Sequence, residues 1–243
     1  MFLVNLLAIP LCTAFGALDV TSVESVYQAY PERVQQLFEA LDLERDDMQN
    51  VKAAVVAGKW MDACNALLAY YQSAPTVPWL RKQAVSPGTE RVPEADAVLN
   101  DEFTLYTVQA KVPRRPDGGL DWTYNGPDGD KEWGWGLNRH YWASTLFDAY
   151  LKTGNRVYVT GLDRLLRDWV ASNPYPGERN STPQWRGLEV FMRISESWGN
   201  VFYALQTVPE LTPATRILML SSIPDHAHYA RNFHAAGGNW IAM

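Results

Sequence analysis

The chain has 243 residues, 47% of them apolar and 20% charged, a globular balance that excludes wholesale disorder and a core dependent on disulfides or metal. With 21 Lys and Arg against 27 Asp and Glu, the net charge is −6, which excludes a nucleic-acid protein held by a generally basic surface. It leaves room for a polyanion held by arginines gathered in one groove.

Phe2–Ala17 is almost wholly apolar, with Asn5 and Thr13 its only polar side chains, and falls short of the roughly 20 residues of a membrane span. Ala14 and Gly16 have the small-residue spacing of a cleavage site. Residues 1–17 therefore read as a secretory signal peptide, which makes the mature chain periplasmic or secreted with no membrane span left; a buried first helix is the alternative. Cys64 is then a lone cysteine, forms no internal disulfide and reads as a small core residue.

Helical periodicity dominates the remainder of the chain. Glu32–Leu41 carries Val34, Leu37, Phe38 and Leu41 on one stripe behind Pro31. Asp46–Ala57 and Trp60–Tyr71 read as two helices stopped from each other by Gly58. From Ser73 to about 131 the texture changes to Pro- and Gly-rich sequence in which only Phe103–Val108 is strand-like. Regular helices resume over Leu137–Lys152, Arg156–Ser172, Trp185–Gln206 and from Thr212 onward, the last with Thr212 as N-cap and Pro213 in the first turn. Short connectors make neighbours antiparallel. The expected fold is all-α: helical hairpins laid side by side, curving into a solenoid or an α/α toroid, with a long loop-rich segment around 73–131.

The sequence contains no Gly-rich phosphate loop, no Cys-rich metal site and no Gly-x-Ser-x-Gly elbow, and neither cofactor nor metal is expected. Asp225-x-x-His228 is a weak metal pattern that reads better as polar residues on a helix surface. Three clusters carry possible chemistry. Trp133, Trp135, Arg139, His140 and Trp142 fall within Glu132–Trp142 and suit acidic sugars, since aromatic faces stack on rings and Arg forks onto carboxylate or sulfate. They suit a core equally well, with Arg139 paired to an internal carboxylate. Trp185, Arg186, Glu189 and Arg193 place two cations around one anion on a helix face, either a binding surface or an internal salt-bridge network. Gly237-Gly238-Asn239-Trp240 offers a helix stop, or an Asn amide presented to a ligand carboxyl.

The order Ala95-Asp96, Asp121-Trp122, Glu132-Trp133, Leu137-Asn138-Arg139, Asn173-Pro174, Trp185-Arg186-Gly187-Leu188-Glu189 and Gly238-Asn239-Trp240 resembles the N-terminal helical domain of the heparinase II/III family of polysaccharide lyases. The resemblance runs from about Pro31 to Met243. It implies an incomplete α/α toroid over 19–243, followed in the family by a C-terminal β-sandwich, and cleavage of uronic-acid-containing polysaccharide by β-elimination. Asn239 maps onto the family's carboxylate-neutralising Asn. A Tyr serves the family as acid, and a Tyr or His as base. Arg139, His140, Trp185, Arg186, Glu189, Arg193 and Trp240 are the expected substrate-binding residues, with Arg139, Arg186 and Arg193 lining one groove. Asn-Trp, where alginate-lyase branches are more like Asn-His, points to a heparan-sulfate-like glycosaminoglycan. An alginate or oligouronide lyase, a non-catalytic glycan-binding domain and a helical scaffold are the alternatives. Because the sequence stops at Met243, short of the β-sandwich and of the family's catalytic Tyr and His, the expectation is an N-terminal part without lyase activity of its own.

Overall fold

A computed structural model of the chain describes residues 19–233. The signal-peptide reading of residues 1–17, and Asn239 with Trp240, lie outside the described residues.

Helix α1 (Val23–Ala29) opens on a capping box in which Ser22 Oγ accepts the Ser25 N–H at 3.1 Å and Ser25 Oγ accepts the Ser22 N–H at 2.9 Å. After α2 (Pro31–Glu39), whose Val34, Leu37 and Phe38 are buried, a 3₁₀ turn at Asp46–Met48 leads into α3 (Gln49–Val56). Gly58, at φ 68°, turns the chain back into α4 (Trp60–Ser73), which packs on α3. Cys64 is fully buried in α4 and burial pushes its thiol up to about 12, so it behaves as a small apolar residue.

The segment read as loop holds more order than its composition suggests. It contains α5 (Pro78–Arg81), α6 (Pro93–Leu99) and an antiparallel hairpin of β1 (Glu102–Leu105) and β2 (Val108–Lys111). The single strand expected over Phe103–Val108 is interrupted because Tyr106 and Thr107 form a two-residue turn, with φ of 50° and 72°. Such turns normally carry Asn or Gly, so neither residue announces one.

Helices α7 (Lys131–Asn138), α8 (Tyr141–Thr153) and α9 (Val157–Ser172) come next. The helix expected over Leu137–Lys152 is broken at His140, which adopts a left-handed φ of 62°. The helix expected over Trp185–Gln206 is three pieces: α10 (Gly187–Met192), a π-helical turn at Arg193–Trp198, and α11 (Gly199–Ala204). The wider turn keeps Arg193, Ser197 and Trp198 all on the buried side. Helix α12 (Pro213–Phe233) starts where expected; the Thr212 hydroxyl accepts the Thr215 N–H at 3.3 Å, and Asp163 Oδ1 accepts the Thr212 N–H at 2.7 Å. Consecutive helices α8 and α9 pack as a hairpin, α12 lies against α9, and α1, α2 and α10 pack on α12.

The loop after the hairpin is tied down by one carboxylate. Asp168, in α9 and 2% exposed, accepts the Leu120 N–H at 2.8 Å, the Trp122 indole N–H at 2.9 Å, an Arg115 N–H at 3.1 Å and the Ser172 hydroxyl at 3.1 Å. Removing one partner of a buried ion pair strands the other, at a cost of about 3–5 kcal/mol. Asp168→Ala is therefore expected to lower unfolding free energy by about that amount in urea titration. The same truncation at Asp47, whose pair with Arg45 is exposed, should leave the midpoint in place.

Candidate functional site

Glu189, in the first turn of α10, is fully buried and shared by two arginines. Arg139 Nε and Nη2 donate to its Oε1 at 3.1 and 2.9 Å, and Arg186 Nη1 donates to Oε1 at 2.8 Å and to Oε2 at 3.0 Å. Arg139 also donates to the Tyr106 hydroxyl at the hairpin tip, which packs where a Cβ on Gly136 would meet the Tyr106 ring at 3.0 Å. The Arg186 guanidinium lies over the Trp135 ring at 3.9 Å. Residues of α7, the hairpin and the Trp185–Glu189 segment, far apart in sequence, thus meet around one carboxylate.

Beneath them lies a layer of buried polar groups among tryptophans. Arg193 is fully buried and makes no ion pair among the described residues. It donates to the backbone carbonyls of Asn138 at 2.8 Å and Gln184 at 2.7 Å, points at His226 Nε2 at 3.3 Å, and stacks on Trp169 at 4.2 Å. Burial pushes its guanidinium down to about 9, still cationic at neutral pH. His226 Nδ1 lies 2.7 Å from the Ser222 carbonyl, so its proton belongs there and Nε2 is free to accept. His140 Nδ1 accepts the Trp198 indole N–H at 3.0 Å, and its ring sits 4.7 Å from Trp142 and 4.9 Å from Trp169. Burial first, then the Arg193 charge, holds both histidines well below their ordinary range and neutral.

These positions revise the expected groove. Arg139, Arg186 and Arg193 do not line one surface. Arg186 does reach solvent, whereas Arg139 is mostly covered and committed to Glu189 and Tyr106. His140, Trp185, Glu189 and Arg193 are buried at 3% exposure or less, which leaves a sugar nothing to touch. Desolvating so many apolar rings outweighs presenting them to ligand, and the polar groups are inside because most of their atoms have backbone or side-chain partners, His140 Nε2 being the exception.

What faces solvent is a cleft of about 1080 Å³. Lys131, Arg179, Arg186 and Arg231 line it with Trp135, Tyr229 and Phe233, and no carboxylate is among its described lining residues. Lys131 and Arg179 carry no helical or motif signature, and periodicity could not have selected them. In the sequence Trp135 is legible only as a member of the Glu132–Trp142 cluster, and Arg231 only as one basic residue near His226, His228 and His234. The cleft therefore offers cations and aromatic faces together, a surface suited to an anionic sugar polymer. The chain continues past its edge, where Asn239 follows Phe233 by six positions.

Asp225 and His228 do not form a metal site. Asp225 pairs with Arg33 at 3.5 Å and His228 Nδ1 faces the Tyr175 hydroxyl; no three metal-ligating side chains cluster among the described residues. Nor is any described helix long and apolar enough to cross a membrane.

Comparison with known proteins places this geometry. The family described as Heparinase II/III N-terminus matches residues 37–243. A heparin-sulfate lyase of Bacteroides thetaiotaomicron is 28% identical over 218 residues, covering 84% of this chain and 30% of the relative. A heparin-sulfate lyase of Pedobacter heparinus is 30% identical over 210 residues, covering 83% of this chain and 31% of the relative. Among solved structures, a heparinase III superposes with a TM-score of 0.70 at 25% identity, covering 85% of this chain and 33% of that one. The heparan sulfate lyase HepC of Pedobacter heparinus gives 0.66 at 27% identity, covering 84% and 33%. The chain thus spans about a third of the length of the relatives it matches, and its helical hairpins are an arc of the α/α toroid.

The two buried histidines also set an acid limit on stability. Their native pKa values lie below the roughly 6.5 of the unfolded chain, so below that pH the unfolded state binds more protons. Stability is full above it and falls as pH drops toward the native values. The melting temperature is expected to decline between pH 7.5 and 5.5, and to decline less in a His140→Gln/His226→Gln variant; a flat wild-type profile would contradict the neutral assignment.

Proposed function

This chain belongs to the heparinase II/III family, and we propose that it forms the N-terminal helical part of a polysaccharide lyase that cleaves a heparan-sulfate-like glycosaminoglycan by β-elimination. The observation carrying this reading is the cleft, where Lys131, Arg186 and Arg231 stand beside Trp135 with no lining carboxylate among the described residues. A cleft whose charged lining residues are all cationic, in a chain of net charge −6, favours an anionic ligand by charge complementarity.

In the reaction, the proton on C5 of the uronate leaves, a C4–C5 double bond forms, and the glycosidic oxygen departs from C4 with the bonding pair and takes up a proton. The C5 proton is barely acidic while the adjacent carboxylate is charged. An amide donating to that carboxylate stabilises the enolate-like charge as it develops, which is the logic of an oxyanion hole. Asn239 is assigned this role; it follows Phe233, a lining residue of the cleft, by six positions in the sequence. The cleft cations hold neighbouring anionic groups and fix the ring for proton removal. Substrate reaches this surface outside the cytoplasm, as the signal-peptide reading of residues 1–17 requires.

Absorbance of the unsaturated uronate tests the reading, with the complete gene product offered heparan sulfate and alginate separately. Heparan sulfate should be consumed and alginate spared, and Asn239→Ala should lower turnover about 10²–10³-fold. Preferential turnover of alginate would overturn the substrate, and an unimpaired Asn239→Ala variant the assigned role.

A further inference from the structure

We infer that Arg186 is the specificity-determining residue of the cleft, a one-edged fork that takes a single two-oxygen anionic group of the sugar chain, carboxylate or sulfate. This rests on the function proposed above and adds to it the group and the edge that read the substrate. The guanidinium has two faces and two edges that can engage partners. One face is covered by the Trp135 ring at 3.9 Å. The Nη1 end is spent on Glu189, with contacts of 2.8 and 3.0 Å to its two oxygens. The remaining Nε–Nη2 edge makes no hydrogen bond among the described residues, and the side chain keeps 35% of its surface exposed in the cleft wall.

That edge carries two parallel N–H groups, the geometry that matches two oxygens of one carboxylate or sulfate. Its direction is fixed before any ligand arrives. Glu189 is fully buried and also held by Arg139, which donates to Oε1 at 2.9 Å. Arg139 in turn reaches the Tyr106 hydroxyl at the hairpin tip. Glu189 and Arg139 are positioning residues, and Arg186 alone of the three meets the ligand. A pinned side chain forfeits little rotamer freedom on binding, which sets Arg186 apart from Lys131, a point charge on a flexible stem in the same cleft.

The test is binding by the 243-residue chain, which separates it from lyase activity. Three probes are titrated calorimetrically: a heparan sulfate hexasaccharide, its desulfated form and its carboxyl-reduced form. Arg186→Ala and Arg186→Lys should each weaken the hexasaccharide about tenfold. The penalty should vanish for one modified probe, and that probe names the anion read. Lys131→Ala should weaken all probes by a common factor that follows total charge. Equal penalties at Arg186 on all three probes would overturn the inference, as would wild-type affinity in Arg186→Lys, because a bare charge would then suffice. Arg186→Lys keeps a cation beside Glu189, so it remains informative should Arg186→Ala fail to fold. Absence of any binding to heparan sulfate by the unmodified chain would instead overturn the proposed function itself.

Discussion

The structure depends on the buried carboxylate of Asp168. Three of its four hydrogen bonds fasten the loop after the hairpin to α9 and the fourth comes from Ser172 in α9 itself, and the connection does not stop there. Trp122, held through its indole, offers its carbonyl to Asn138 Nδ2 at 2.9 Å, and Asn138 Oδ1 accepts the Trp169 indole N–H at 2.9 Å. The Asn138 carbonyl then takes Arg193. A continuous line of satisfied polar groups therefore runs from α9 through α7 to the π-helical turn. Such networks rigidify a core when complete and are costly when one member is lost.

Buried carboxylates recur as organisers. Asp101 holds Arg114 at 2.6 Å and Arg164 at 3.0 Å, and Glu189 holds Arg139 and Arg186. Several arginines are thus consumed in tying loops to helices, which reconciles an acidic chain with a cationic cleft. Charge counted over the sequence mixes guanidiniums wholly taken up by internal partners with those, like Arg186, that keep an edge toward solvent, and only the latter can meet a polyanion.

Many motif residues that single out the family prove to be architectural. Trp122 and Asn138 are links in the hydrogen-bonded line. Trp133 donates to the Val108 carbonyl at 3.0 Å and fixes the hairpin to α7, and Asp96 accepts the Tyr158 hydroxyl at 3.0 Å. Such residues mark a family because a polar group buried at a fixed place tolerates few substitutes. They located the site without forming it. Of the expected binding residues within 19–233, Arg186 faces the cleft openly, Arg139 and Glu189 stand behind it, and His140, Trp185 and Arg193 are core.

By itself the sequence determined the helical hairpins, their order, the Thr212 cap and the buried Cys64, because helix periodicity and capping act within a few residues of chain. It also determined the family, through the order of short polar and aromatic motifs. Only the tertiary structure decided the break at His140, the hairpin turn at Tyr106-Thr107 and the π-helical turn at Arg193–Trp198. At His140 and Arg193 the local preference of the chain yields to burial of a ring or guanidinium against residues distant in sequence, and at the hairpin tip the half-exposed Tyr106 meets Arg139 through its hydroxyl. It likewise decided which arginines can meet a ligand, since a guanidinium's availability depends on whether a carboxylate from another element has already reached it.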